Sequence, residues 1–155
     1  MSVLKIGIVG ASIDVDNRQI NTAASELGSW LVENNHSMVY IGNAAGLIKV
    51  VLNDVEQAGG KTIQIAGTSI DDMLPDVDAF VFLPGGIDVF ASGIHLLNLC
   101  EQGIFSKPFL LLNIDDFWSP LQHLMEKMES ENYLSMPMNS VCFCDSVESI
   151  AKTVR

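Results

Sequence analysis

Three glycine-containing loops and a few carboxylates are the parts of this sequence whose residue types and spacing could do chemistry. Glycine directly after a strand lets a ligand approach the backbone, and the free N–H groups of a following helix then point at that ligand. The loops span 10–12, 42–46 and 84–88. The candidate ligand-binding residues are Gly10, Ala11, Ser12, Gly42, Asn43, Gly46, Pro84, Gly85, Gly86, Ile87, Asp88, Val89, Ser92, Asn113 and Asp115. Tight strand-to-helix turns would explain the same glycines, so both interpretations stay open.

Alternating strand and helix patterns must position these loops. Short apolar runs predict strands at 3–9, 38–41, 62–66, 79–83, 109–113 and 141–144. Helical spacing predicts helices over 17–33, 45–58, 89–102 and 119–131, with a last helix running to the C-terminus. Strands alternating with crossover helices indicate an α/β class: a three-layer, doubly wound, Rossmann-like fold with a mostly parallel sheet. We expect one domain over 1–155, with ligands bound at the carboxyl ends of the strands.

Two helix starts carry capping signals. Ser119 followed by Pro120 predicts a serine N-cap with proline at the first helical position. Asp145 with Glu148 predicts a variant capping box at the start of the final helix.

The composition limits the classes of partner. The chain has 155 residues, a net charge of −11 and only eight Lys and Arg, which are scattered. Nucleic acid is therefore excluded as an expected partner, because its affinity comes mainly from clustered basic residues. No apolar run approaches the ~18 residues that span a membrane. The start of the chain also lacks the layout of a secretion signal.

The cysteines and histidines are expected to be structural. The chain has three cysteines, Cys100, Cys142 and Cys144, and this odd number favours reduced, buried thiols in a cytoplasmic protein. Too few metal-ligating residues lie near them in sequence for a metal site. His36 precedes a strand and is expected to be solvated, whereas His95 and His123 are expected on helix surfaces or at an interface. A soft apolar region fits either core packing or subunit contact equally well; it comprises Met125, Met128, Met136, Met138, Phe117, Trp118 and Tyr133.

Four stretches covering nearly the whole chain resemble the Lonely Guy family, which is also described as possible lysine decarboxylases. They are 24–28 (ASELG), 39–48 (VYIGNAAGLI), 83–86 (LPGG) and 107–121 (KPFLLLNIDDFWSPL). The family is known for cytokinin riboside monophosphate phosphoribohydrolases. The resemblance implies a Rossmann-like fold, a homodimer, a pocket for a nucleoside monophosphate, and no metal or organic cofactor.

The chain departs from the family's signature, P-G-G-x-G-T with Glu three residues after the Thr. Asp88 stands in place of the second glycine, Val89 in place of the phosphate-binding Thr, and Ser92 in place of the catalytic Glu. A family Arg expected before the fourth strand has no counterpart, since 63–83 contains neither Lys nor Arg. The family commonly has Asp-Gly where this chain has Asp115-Asp116; that pair could contact a ribose hydroxyl or merely solvate a loop.

These departures leave three hypotheses for function. The first is a divergent member without phosphoribohydrolase activity that binds a small, nucleotide-like ligand or acts through its dimer. The second is an active glycosidase or ribosyl transferase with a relocated catalytic carboxylate, for which Asp88 is the first candidate because it stands on the same turn, and Asp115 the second. The third is a structural partner of an active family member. Asp88 itself has two interpretations: a plain helix N-cap, or a carboxylate that takes the place of the family's bound phosphate.

Overall fold

The computed structural model describes residues 3–154 and confirms the predicted alternation of strands and helices. The strands are β1 (Lys5–Val9), β2 (Ser37–Ile41), β3 (Lys61–Ile65), β4 (Ala79–Phe82), β5 (Phe109–Leu112) and β6 (Cys142–Cys144). The helices are α1 (Arg18–Glu33), α2 (Gly46–Gln57), α3 (Ile87–Glu101), α4 (Ser119–Ser130) and α5 (Val147–Thr153). The polar connection before β4 contains two short 3-10 turns, Ile70–Asp72 and Leu74–Asp76.

The sheet is doubly wound, as predicted. Its strand order is β3-β2-β1-β4-β5-β6, and every neighbouring pair of strands is parallel. The chain winds outwards from β1 in one direction and then from β4 in the other. The switch point between β1 and β4 is where such sheets open a crevice for ligands.

Helices cover both faces of the sheet and make two apolar cores. On one face α1, α2 and α5 bury residues such as Leu27, Leu47 and Ile150 against the sheet. On the other face α3, α4 and the 3-10 turns bury Phe80, Leu96 and others. Because β4 and β5 are buried on both sides, they are apolar along their whole length, which is typical of parallel sheets. No helix in the described part of the chain is long and apolar enough to span a membrane.

The predicted helix caps are wrong in detail. Ser146, not Asp145, is the N-cap of α5, and its side-chain oxygen accepts from the Ser149 backbone N–H at 3.1 Å. Helix α4 includes Ser119, whose hydroxyl bonds to side chains of the preceding loop instead of capping the helix. In both cases a neighbouring polar group offers a competing hydrogen bond.

His36 is buried rather than solvated. Its side chain is 2% exposed, and its Nδ1 accepts the backbone N–H of Leu4 at 3.0 Å. The ring packs against Trp30, with ring centroids 5.0 Å apart. Burial lowers the pKa of His36 from its ordinary value of 6.5. This histidine therefore joins the start of β1 to the end of α1.

Candidate functional site

Two backbone hydrogen bonds tie the three glycine-containing loops together at the carboxyl ends of the strands. The Ala11 N–H donates to the Pro84 carbonyl at 3.0 Å, and the Ala11 carbonyl accepts from the Leu47 N–H at 2.9 Å. The loop after β1 thus bridges the loop before α3 and the first turn of α2. The structure therefore brings these loops together at the carboxyl edge of the sheet, as predicted.

Two of the glycines are required by close packing. Gly46 has φ +57°, and a Cβ there would lie 2.3 Å from the Ala11 carbonyl oxygen. A Cβ on Gly85 would lie 2.3 Å from Cγ2 of Val89. Gly42 has φ +68° but open space around it. The glycine pattern is therefore largely explained by backbone conformation and packing, the plainer of the two sequence interpretations.

A first cavity of about 230 Å³ opens between the ends of β1 and β2 and the first turns of α3. Its floor is apolar, with Ile8, Val9 and Ile41 among the lining residues. Its polar lining comes from separate elements that the fold brings together: Ser12, Asn43, Thr68, Asp88 and Ser92. The arrangement offers hydroxyl, amide and carboxylate groups to one small molecule.

A second cavity of about 320 Å³ lies on the other side of the Pro84–Gly86 segment. Its lining is mostly apolar and includes Ile13, Val15, Ile20 and Phe117. Ser12 and Asp88 line both cavities. Asp88 therefore stands at the boundary between a polar compartment and an apolar one.

Sequence comparison identifies the family. The model of the family described as "possible lysine decarboxylase" matches residues 69–154, more than half of the chain. The chain belongs to this family. The resemblance to the Lonely Guy family drawn from the motifs is thereby confirmed.

Curated Lonely Guy relatives are similar over most of this chain. Cytokinin riboside 5'-monophosphate phosphoribohydrolase LOG2 of Arabidopsis thaliana is 29% identical over 136 residues, which cover 73% of this chain and 64% of LOG2. The enzyme LOG of Oryza sativa subsp. japonica is 28% identical over 136 residues, covering 73% of this chain and 56% of LOG. The chain spans only about 55 to 64% of the length of the curated relatives it matches.

Solved structures share the fold at low sequence identity. The molybdenum cofactor carrier protein of Chlamydomonas reinhardtii has a TM-score of 0.72 and 16% identity, and the match covers 99% of this chain and 98% of that one. The molybdenum cofactor binding protein of Rippkaea orientalis has a TM-score of 0.69 and 19% identity, covering 99% of this chain and 96% of the other. At these identities the likeness establishes the fold alone.

In this Lonely Guy-family chain, ten of the predicted site residues line one or both cavities. They are Gly10, Ala11, Ser12, Asn43, Pro84, Gly85, Gly86, Asp88, Val89 and Ser92. Five others lie outside these linings: Gly42, Gly46, Ile87, Asn113 and Asp115. Ile87 is 82% exposed, and the buried Gly46 supports the loop after β1 from behind.

The polar residues of the β5–α4 loop are held by hydrogen bonds within the loop and to the start of α1. Asn113 Oδ1 accepts the Trp118 N–H at 2.7 Å, and Asp115 Oδ2 accepts from Asn17 Nδ2 at 3.2 Å. Asp115 and Asp116 both have left-handed backbone conformations, with φ of 57° and 53°. A left-handed backbone at Asp116 agrees with a position where the family commonly has glycine. The side chains of Asp115 and Asp116 each accept a hydrogen bond from a neighbouring residue, which favours a structural role in the loop over contact with a ribose hydroxyl.

Asp88 is not a helix N-cap. Gly86 is the N-cap residue of α3, and Asp88 lies within the first helical turn. Its side chain accepts no hydrogen bond from any residue between 3 and 154, and the residue is exposed. The N-cap interpretation is wrong because α3 begins two residues earlier than the sequence pattern indicated. The carboxylate is available to a ligand.

The sequence prediction missed eleven residues of the linings, most of them aliphatic, and three of the others are instructive. Tyr40 and Thr68 reach the first cavity from the ends of β2 and β3, and Phe117 reaches the second from the β5–α4 loop. Each follows or ends a predicted strand, so the rule that sites form at strand carboxyl ends could have identified them. Among residues 3–154 there is no group of three or more His, Cys, Asp or Glu arranged to hold a metal ion.

Proposed function

We propose that this chain is a Lonely Guy-family protein that binds a small molecule in the two neighbouring cavities that share Ser12 and Asp88, and that it does not catalyse phosphoribohydrolysis. The observation that carries the proposal is the lining at Ser92, where a hydroxyl stands at the position that the motif resemblance gives to the catalytic Glu. The relatives are named phosphoribohydrolases, and the structural neighbours are named as carriers or binders of a small cofactor. Both names are consistent with a ligand site in this fold.

The missing charge explains why hydrolysis would fail. Cleaving an N-glycosidic bond builds positive charge on the ribose ring, and a carboxylate facing the ring stabilises that charge. Ser92 carries no charge and cannot replace it. The loss of one acid–base group costs about 10²- to 10⁴-fold in rate. Val89 removes a further polar contact, because valine has no hydroxyl where the motif resemblance places the phosphate-binding Thr.

The test is incubation with adenosine 5'-monophosphate, followed by chromatography for free adenine. Arabidopsis LOG2, assayed in parallel, is the positive control. We expect adenine release at least 10²-fold slower than that of LOG2, the smallest loss expected for one missing acid–base group. Turnover equal to that of LOG2 would refute the proposal.

A second candidate function rests on Asp88, which lines both cavities. A carboxylate on the same turn could orient water or stabilise a ribosyl cation in place of the missing Glu. Asp88→Asn would then abolish any base release, whereas Glu129→Gln, which makes the same charge change on the exposed surface of α4, would not. Equal turnover of the wild type and Asp88→Asn would remove Asp88 from this role.

We also propose that the homodimer implied by the family uses the groove between α3 and α4. This groove of about 680 Å³ is lined by Phe90, Ile94 and Leu124, which are 44%, 39% and 51% exposed. Of the soft apolar region considered in the sequence, Trp118, Met125 and Met136 are buried in the core, and Met128 lines this groove. The exposed apolar side chains of the groove support our proposal that a second copy of the chain covers it. Light scattering after size exclusion should give a dimer for the wild type and a monomer for Leu124→Glu; a monomeric wild type would contradict the assignment.

A further inference from the structure

The two cavities differ in chemistry although they share Ser12 and Asp88. The first offers the hydroxyls of Thr68 and Ser92 and the amide of Asn43. The second is formed mainly by apolar side chains. The first cavity also has an apolar floor, so a molecule with a hydroxyl-bearing part and an apolar part would match both linings.

The charge at the boundary is negative. Among the described residues that line either cavity, Asp88 carries the one ionisable carboxylate, and none is Lys, Arg or His. The whole chain has a net charge of −11. A phosphate placed in the first turn of α3 would face the Asp88 carboxylate with no cation on these linings to compensate, and both local and long-range fields would oppose it.

A neutral polyol fits the same groups well. An ionised carboxylate has two oxygens that only accept hydrogen bonds, so it pairs with hydroxyl donors, as acidic residues of other Rossmann folds do with ribose. The hydroxyls of Ser12, Thr68 and Ser92 can donate or accept as the ligand requires. Asp88 has no hydrogen-bond donor among the described residues, so a ligand would not have to displace one.

The apolar compartment supplies a surface for a ring. Phe117 is 41% exposed, and its ring is held edge-on against buried Trp118, with centroids 5.0 Å apart and planes at 90°. Ile13 is 74% exposed on the same lining. Such large apolar groups gain most by covering a planar or hydrocarbon group.

From this pairing we propose that the site selects an uncharged, ring-bearing polyol, in the class of a nucleoside without its phosphate, and discriminates against the 5'-monophosphate through Asp88. The inference rests on the proposed function and names its ligand class. Asp88 is then the residue that determines specificity, since it accepts the ligand hydroxyls and repels a phosphate.

Isothermal titration of adenosine, guanosine, cytidine and uridine, each beside its 5'-monophosphate, tests the inference. We expect at least one nucleoside to bind about tenfold or more tightly than its own monophosphate. In Asp88→Asn that ratio should fall to within about threefold. Glu129→Gln, which removes the same charge from the exposed surface of α4, should keep the wild-type ratio.

Three results would overturn the inference: monophosphates that bind as tightly as their nucleosides, no nucleoside binding up to millimolar concentration, or a preference that Asp88→Asn leaves unchanged. The chromatographic assay distinguishes a wrong ligand class from a wrong proposed function. Base release from a monophosphate at the rate of LOG2 refutes the loss of hydrolysis. Tight monophosphate binding without base release refutes only the ligand class.

Discussion

The two ends of the sheet are built in different ways. At the amino ends, side chains close the structure: His36 accepts from the Leu4 N–H, Asp78 accepts from the Lys5 N–H at 2.8 Å, and Lys107 donates to the Val77 carbonyl at 2.6 Å. At the carboxyl ends of β1 and β4, backbone groups hold the loops to each other and to the start of α2 through Ala11, so Ser12, Asp88 and Ser92 are left to face two cavities. The loop after β5 is the exception, because the side chains of Asn113 and Asp115 hold it.

Because different groups hold the two ends together, stability and ligand binding depend on different side chains. Where backbone and glycine packing hold the loops, the polar side chains have few structural duties and can change between relatives. Where side chains hold the loops, each one has a structural hydrogen bond to lose. Side-chain substitutions at the amino ends should therefore reduce stability more than ligand binding. Substitutions of the cavity-lining polar side chains at the carboxyl ends should reduce ligand binding more than stability.

The largest effect should come from Gly46→Ala at the carboxyl end. The added Cβ would meet the backbone oxygens of Ala11 and Ile13, at 2.3 and 2.4 Å, in a left-handed conformation. Backbone strain and overlap together should cost about 3 kcal/mol of unfolding free energy. Gly42→Ala is the matched control, because it has the same kind of φ but no neighbour within 4 Å. Urea unfolding of both variants checks the comparison; equal losses would show that overlap contributes nothing.

Gly85→Ala should cost less, about 2 kcal/mol, since its Cβ would meet a side chain. The nearest atoms are Cγ2 and Cβ of Val89, at 2.3 and 2.6 Å. Val89→Ala removes Cγ2 and keeps Cβ, so the double variant should recover part of the loss. A double-mutant cycle of unfolding free energies measures the coupling. Additive losses would mean that the clash lies elsewhere.

The alternation of strands and helices, the doubly wound parallel sheet and the edge that carries the loops could be predicted from the sequence, whereas the details of the site could not. Alternating apolar runs and amphipathic helices leave few right-handed topologies, and in such sheets ligands bind at the carboxyl ends of the strands. Two adjacent glycines precede α3, and the sequence pattern does not show that the helix begins directly after Gly86. The N-cap interpretation of Asp88 was therefore left open, although the residue lies inside the helix.

The burial of His36 could not be predicted from the sequence for a similar reason. A histidine between a helix and a strand is usually solvated, but Trp30 and the start of β1 cover this one. Phe117 shows the converse, an aromatic residue that the fold leaves partly exposed beside a cavity. Contacts between residues distant in sequence decide both cases.

His36→Asn should produce a smaller loss of stability and a change in its pH dependence. Asn can still accept the Leu4 N–H but loses the packing on Trp30, at a cost of about 1.5 kcal/mol at pH 7.5. Because burial lowers the pKa of His36 below 6.5, the wild type is stabilised above that pH and loses this contribution as the pH falls further.

Unfolding by urea at pH 7.5 and 5.0 therefore should show a steeper acid loss for the wild type than for His36→Asn. The two proteins share every other titrating group, so the difference between their slopes isolates this histidine. Parallel slopes would mean that His36 keeps its ordinary pKa in the folded chain.

The smallest effects should come from two carboxylates at opposite ends of the sheet. Asp78→Ala removes the acceptor of the Lys5 N–H and should cost about 1 kcal/mol. Asp88→Ala removes a side chain that accepts no hydrogen bond from the described residues, and its favourable place at the start of α3 is opposed by the net charge of −11. Its unfolding free energy should stay within about 0.5 kcal/mol of the wild type. If Asp88→Ala proved the more damaging, the carboxylate would have a structural duty, and the side chains at this end would be less free to serve a ligand than the backbone contacts indicate.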